Sequence, residues 1–183
     1  MTDIRKIKMV QALTGAIILT LLMQPMALLG FAQYIWMLFL PLLLFFALGA
    51  DIKKVPSMIL CYICGVAWAF INGAVQGLFA TFMSGPILNI IPTIIVIFLI
   101  LTVHENLLAN TVFGLVPALF MGMSTTFMVF MMKLKITPLH LVGFFCYGVV
   151  LAVAMVLIGM AVCSAIFGKD RAMATIVGDP AKK

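Results

Sequence analysis

Residues 61–78 read CYICGVAWAFINGAVQGL, an unbroken apolar stretch that nevertheless carries Asn72 and Gln76 four positions apart. As an α-helix rising about 1.5 Å per residue, a stretch of this length crosses most of a bilayer core of about 30 Å. The amide pair therefore has two readings. It lines a path for something polar, or it joins one helix to another through interhelical hydrogen bonds.

The chain around this stretch has the same character. Of 183 residues 66% are hydrophobic and 9% charged, against roughly 45–50% and about 25% in soluble domains. Apolar runs recur at about 9–32, 34–50, 57–80, 86–103, 107–132 and 138–167. Each approaches the roughly 20 helical residues that a span requires. No run alternates polar and apolar residues with period two, which excludes a membrane barrel. The expectation is a single all-α integral membrane domain, a bundle of six transmembrane helices with the lipid bilayer as its first partner. In a soluble protein a net charge of +6 would suggest nucleic acid; here the basic residues stand at chain ends and in short loops, so no nucleic-acid role is expected.

Those basic residues orient the chain. A cytoplasmic amino terminus places Arg5, Lys6, Lys8, Lys53, Lys54, Lys169, Arg171, Lys182 and Lys183 inside, and leaves Lys133 and Lys135 outside. That distribution satisfies the positive-inside rule with both termini cytoplasmic. The first run is too long for the core of a signal peptide and reads as a retained helix.

The two outer lysines also suggest an internal repeat. Lys54-Val55-Pro56 leads to Cys64 eight residues after the proline, and Lys135-Ile136-Thr137-Pro138 leads to Cys146 at the same distance. The helix before each also holds a proline, Pro41 and Pro117. With three spans per half the repeats must be inverted, and proline-interrupted helices at matching positions are a feature of transporters. The competing explanation is chance similarity between apolar helices.

At 100° per residue, Cys61, Gly65, Trp68, Ala69, Asn72 and Gln76 fall on one side of helix three. Val66, Ala67, Phe70, Ile71, Ala74 and Leu78 fall on the other. Around Gly114 the fifth helix gathers Asn110, Thr111, Pro117, Ala118, Met121, Thr125, Met128 and Met132, opposite Leu115, Val116, Leu119, Phe120, Met123, Phe127 and Phe130. Both polar, small-residue stripes are expected to face the bundle interior. Asn72, Gln76, Asn110, Thr125 and Pro117 are thereby the candidate lining of a pore or cleft. The alternative is that the amides serve only as glue, each interhelical bond being worth about 0.6–2 kcal/mol.

In a six-span chain of this size, CGVAWAFINGAVQG and FGLVPALFMGMSTTF resemble the bacterial inner-membrane family called domain of unknown function 1097. The resemblance covers about residues 10–165 and is sharpest at Gly65, Trp68, Pro117, Gly122 and Thr126-Phe127. It implies a small multi-span protein of the bacterial cytoplasmic membrane, and brings no activity or catalytic residue with it.

Ionisable groups inside the spans are few. His104-Glu105 stands between two apolar runs. It reads either as a tight cytoplasmic turn, with Glu105 near the start of helix five where negative charge suits the helix dipole, or as a gate in which a histidine beside a carboxylate changes charge near neutral pH. His140, after Pro138, reads as an interfacial residue. Cys61 and Cys64 share a helical turn without a second cysteine pair, and read as small apolar residues. Met128 and Met132 share a face, which raises Cu(I), but methionine also fills apolar space. No metal site or cofactor is expected. Nor is enzyme chemistry, in the absence of a nucleophile with its base or a His-Glu-x-x-His arrangement.

Two functions are consistent with these features. One is a small channel or permease for a neutral or weakly polar solute; the other is an accessory or substrate-capture subunit of a larger membrane complex. A bundle this thin points to a homo-oligomer or to a membrane partner subunit.

Overall fold

The computed structural model of the protein describes residues 3–169; Arg171, Lys182 and Lys183, which count toward the expected orientation, lie outside them. The described residues form six α-helices and no strand. Helix α1 is Asp3–Leu28. A 3-10 segment, Ala32–Leu38, turns directly into α2, Phe39–Ala47. Helix α3 is Val55–Phe79, entered through a 3-10 turn, Ile52–Lys54, in which the Asp51 carboxylate accepts the Lys53 amide at 2.9 Å. Helix α4, Ile87–Ile100, continues as a π-helical turn, Leu101–Leu107, before α5, Val116–Met131, and α6, Pro138–Phe167.

Four segments are long and apolar enough to cross a membrane: Ile4–Leu28, Ile52–Phe79, Ile87–Leu107 and Pro138–Phe167. Ala32–Ala47 and Val116–Met131 are shorter apolar helical segments. Bulky apolar side chains such as Leu13, Leu21, Phe98, Met131 and Leu139 are exposed. A surface of that kind is suited to lipid and not to water.

The helices gather into two compact units, one made of residues up to Ala50 together with those from Tyr147 onward, the other of Asp51–Cys146. In the first, α1 and α6 run antiparallel. Ile7 packs with Cys163, Gly159 stands beside Gln11, and Gly15 beside Met155. The Tyr147 hydroxyl donates to the Leu22 carbonyl at 2.5 Å. Helix α2 is held against α6 at Gly148, where any side chain would run into the Pro41 ring and the Leu38 carbonyl.

In the second unit α3 and α5 meet backbone to backbone. A side chain at Gly65 would collide with the Leu119 carbonyl, and one at Gly122 with the Tyr62 carbonyl. Small residues permit this approach, which is how helices associate where lipid removes the hydrophobic drive between them. Tyr62 completes the contact. Its ring stacks on Phe145 with centroids 3.9 Å apart, and its hydroxyl lies 2.8 Å from Thr125 Oγ1. Because the Thr125 proton is directed to the Met121 and Gly122 carbonyls, Tyr62 is the donor.

Helix five begins at Val116 and not at 107, because residues 108–115 are held in turns. The Thr111 hydroxyl donates to the Leu108 carbonyl at 2.7 Å and accepts the Phe113 amide, local bonding that competes with helix. Gly114 lies against the Ala109 carbonyl in this turn and is not the centre of a helical face. The buried face of α5 centres on Gly122 instead. Leu119 and Met123 are buried, while Pro117, Met128 and Met132 are exposed.

Pro41 sits just after the 3-10 segment becomes α2, and Pro117 lies in the first turn of α5. Neither interrupts a helix interior; Pro25 in α1 and Pro92 in α4 do. Glu105 belongs to the π-helical turn that follows α4, so the favourable dipole expected at a helix start does not apply to it.

Candidate functional site

Helix α3 presents its polar residues in order along one face, and all but Asn72 can be followed to a partner. Cys61 Sγ donates to the Val112 carbonyl at 3.3 Å. One turn on, Gly65 is covered by the backbone of α5. Trp68 Nε1 donates to His104 Nε2 at 3.1 Å, and His104 Nδ1 lies 2.8 Å from the Phe113 carbonyl. Gln76 Nε2 reaches Thr93 Oγ1 at 3.5 Å. Asn72, between these last two, is 3% exposed, and its Oδ1 has no hydrogen-bond partner.

That atom is the exception in a unit that otherwise satisfies its buried side-chain polar atoms. A buried polar group left unmatched costs about 1–3 kcal/mol, and such groups in native structures call for a specific explanation. The explanation offered by the geometry is that Asn72 lies at a cleft. Ala69, Asn72, Gly73 and Gln76 of α3, Asn89 and Thr93 of α4, and Phe127, Phe130 and Met131 of α5 enclose about 570 Å³. Its polar groups are two amides on α3 and an amide and a hydroxyl on α4, each pair one helical turn apart. The opposite wall is aromatic and thioether. No charged side chain is among them.

The helix ends give the cleft its direction. Its walls are the carboxyl-terminal parts of α3 and α5 and the amino-terminal part of α4. Asn89, nearest the connecting loop, is exposed; Gln76 and Thr93 are half-buried; Asn72 is buried. The polar groups thus run inward from rim to floor.

His104 is fixed by its two neighbours. The indole nitrogen can only donate and the carbonyl only accept, so the imidazole is the neutral tautomer with its proton on Nδ1. A second proton on Nε2 would face the Trp68 N–H. The π-helical turn that carries His104 leaves Glu105 exposed beside it, away from the cleft.

Of the residues singled out by sequence, the structure brings Asn72 and Gln76 into the cleft. Thr125 is buried against Tyr62 and outside it. Asn110 is exposed in the turn before α5, and Pro117 is exposed at the start of that helix. The cleft gains Asn89, Thr93, Phe127, Phe130 and Met131, which the sequence reading did not select. A readable signal existed for two of them, since Asn89 and Thr93 are uncharged polar residues one turn apart in an otherwise apolar run. Phe130 was assigned to the lipid side through the misplaced centre of α5, whereas Phe127 falls opposite Gly114 and Gly122 alike and reaches the cleft from the flank of the helix.

The first unit has a smaller cleft of about 270 Å³, lined by residues that include Lys8, Gln11 and Gly15 of α1, Phe46 of α2 and Met155 of α6. Among the described residues no three His, Cys, Asp or Glu side chains stand close enough to hold a metal ion.

A family model described as protein of unknown function (DUF1097) matches residues 12–168. Neither the curated proteins nor the solved structures contain a match to the chain.

Proposed function

The chain belongs to the DUF1097 family, a membership that brings no activity with it, and we propose that it is a channel or permease for a small neutral or weakly polar solute. The observation that carries this reading is Asn72, a buried amide oxygen without a partner at the floor of an uncharged cleft. Helix association alone would be served by satisfied pairs such as Trp68–His104; an unmatched amide oxygen on a residue that lines an uncharged cleft suits a visiting donor once the side chain turns. The absence of charge among the lining groups favours a neutral solute, because an ion would lose its hydration without compensation. No catalytic step and no cofactor belong to this reading.

The proposal includes six spans in a bacterial cytoplasmic membrane, with both termini inside. Four long apolar helices and two shorter ones support the count, and the basic residues of the amino terminus and of Lys53-Lys54 support the orientation. It also includes an inverted repeat that pairs α1 with α4, α2 with α5 and α3 with α6. Support comes from the likeness of the two units taken separately. In one, α6 receives a short helix at Gly148; in the other, α3 receives a short helix at Gly65. Each unit has a cleft built from the amino-terminal part of one long helix, a phenylalanine near the end of the short helix, and the second half of the other long helix. Phe130 and Met131 remain exposed at the cleft, so a further wall from a second copy or a membrane partner subunit belongs to the same proposal.

The test is solute flux in liposomes containing the purified chain alone. Entry of an uncharged solute faster than into protein-free liposomes is expected. Flux that appears only when a second protein is supplied would replace this reading with that of an accessory subunit.

A further inference from the structure

We propose that the cleft of the second unit selects uncharged molecules that carry an N–H or O–H donor on an apolar body, aliphatic primary amides being the simplest class, and that Asn72 is the residue that reads the donor. The inference rests on the cleft being a solute site, and it goes further by stating which end of the solute enters first.

The floor has one unmet need, and it is for a donor, since Asn72 Oδ1 is buried and accepts nothing. One turn nearer the rim, Gln76 Nε2 approaches Thr93 Oγ1 at 3.5 Å, a long contact that leaves the threonine proton and the glutamine carbonyl open to a ligand. A primary amide uses both kinds of group. Its N–H meets Asn72 once the side-chain amide turns its buried oxygen into the cleft, and its carbonyl is within the class of acceptors that the Thr93 hydroxyl or the Gln76 amide can serve. The hydrocarbon part then lies along Phe127, Phe130 and Met131, on the wall that offers no hydrogen bonds. A carboxylate would bring negative charge against the Asn72 oxygen. An alkylammonium would satisfy that oxygen but find no counter-charge among the lining side chains. A tertiary amide keeps the shape and the carbonyl and lacks the donor.

Selection of this kind is strong where a site is built around a hydrogen bond, because the analogue leaves the buried group unpaired. The comparison that tests it is butanamide against N,N-dimethylbutanamide, with butyrate and butylammonium as charged controls. Binding is read from the Met131 methyl resonance of protein carrying ¹³C-methyl methionine in nanodiscs. Butanamide should shift that resonance in a saturable way, with an affinity at least tenfold above that of the dimethyl compound and above both ions. In Asn72→Leu, which leaves no unmatched polar atom and should fold, the two amides should bind equally. Equal affinities in the wild-type protein, or unchanged discrimination in Asn72→Leu, would overturn the inference without any appeal to the variant's stability. A Met131 methyl that none of the four compounds moves would overturn it too, and would leave water or lipid as the occupant. Discriminating binding without flux would remove the transport reading and keep this one; flux without discrimination would do the opposite.

Discussion

Gly65 and Gly122 carry the tightest requirement among the described glycines, because what faces each of them is backbone and cannot move aside as a flexible side chain can. Alanine at Gly65 is expected to lower stability by about 1–3 kcal/mol, the usual effect of overpacking. Gly73→Ala, on the same helix with open space around it, should leave the melting temperature in detergent unchanged and serves as the control. A second expectation concerns His104. Nitrogen NMR should find its proton on Nδ1, and Trp68→Phe, which leaves Nε2 buried without a donor, should destabilise by about 1–3 kcal/mol. An imidazole protonated on both nitrogens in the folded protein at neutral pH would contradict the pairing and revive a charged gate. At this scale much of α3 was legible in the sequence. Cys61, Gly65, Ala69 and Asn72 are buried and Phe70, Ile71 and Leu78 exposed, as a stripe of small and polar residues at helical spacing implies. Tyr62 and Val66 are buried as well, since α5 covers a wider face than the stripe marks. What could not be read was the partner of each group, because Thr93 and His104 reach α3 only through the turns of the chain.

Among the elements, α5 shows where periodicity fails. An angular count assumes that a helix is already present at its starting residue. Counting from Asn110 and Gly114 carried the phase through turns that Thr111 holds open, and the face came out displaced by roughly 80°, the angle between Gly114 and Gly122 at 100° per residue. The prolines misled for a related reason. Proline in a first turn starts a helix without losing an intrahelical bond, so Pro117 was read as a break where it marks a beginning. Pro117→Ala should therefore change stability by less than about 0.5 kcal/mol, as expected for an exposed substitution away from special features. A large loss on thermal denaturation would show that Pro117 holds the 108–115 turns in place. The π-helical turn at Leu101–Leu107 had no comparable signature. Its position is set by the tertiary bonds of His104 to Trp68 and Phe113.

For the molecule as a whole, composition alone separated a helical membrane protein from every soluble class, and the six apolar runs correspond to six helices with shifted ends. The cleft was less legible, because its walls come from three helices and its apolar side looks like ordinary lipid-facing surface when each helix is read by itself. In the proposed function Asn72 and Gln76 serve a solute and not only the joint between helices. Per-molecule flux of the Asn72→Leu, Gln76→Leu double variant in liposomes, measured beside its melting temperature and oligomeric state, separates the two roles. A protein that folds and assembles as before is expected, with its flux of an uncharged amide at the protein-free level, since two leucines dry and narrow the cleft. Unchanged flux per folded molecule, or a loss of flux that only follows a loss of folded protein, would contradict the solute role.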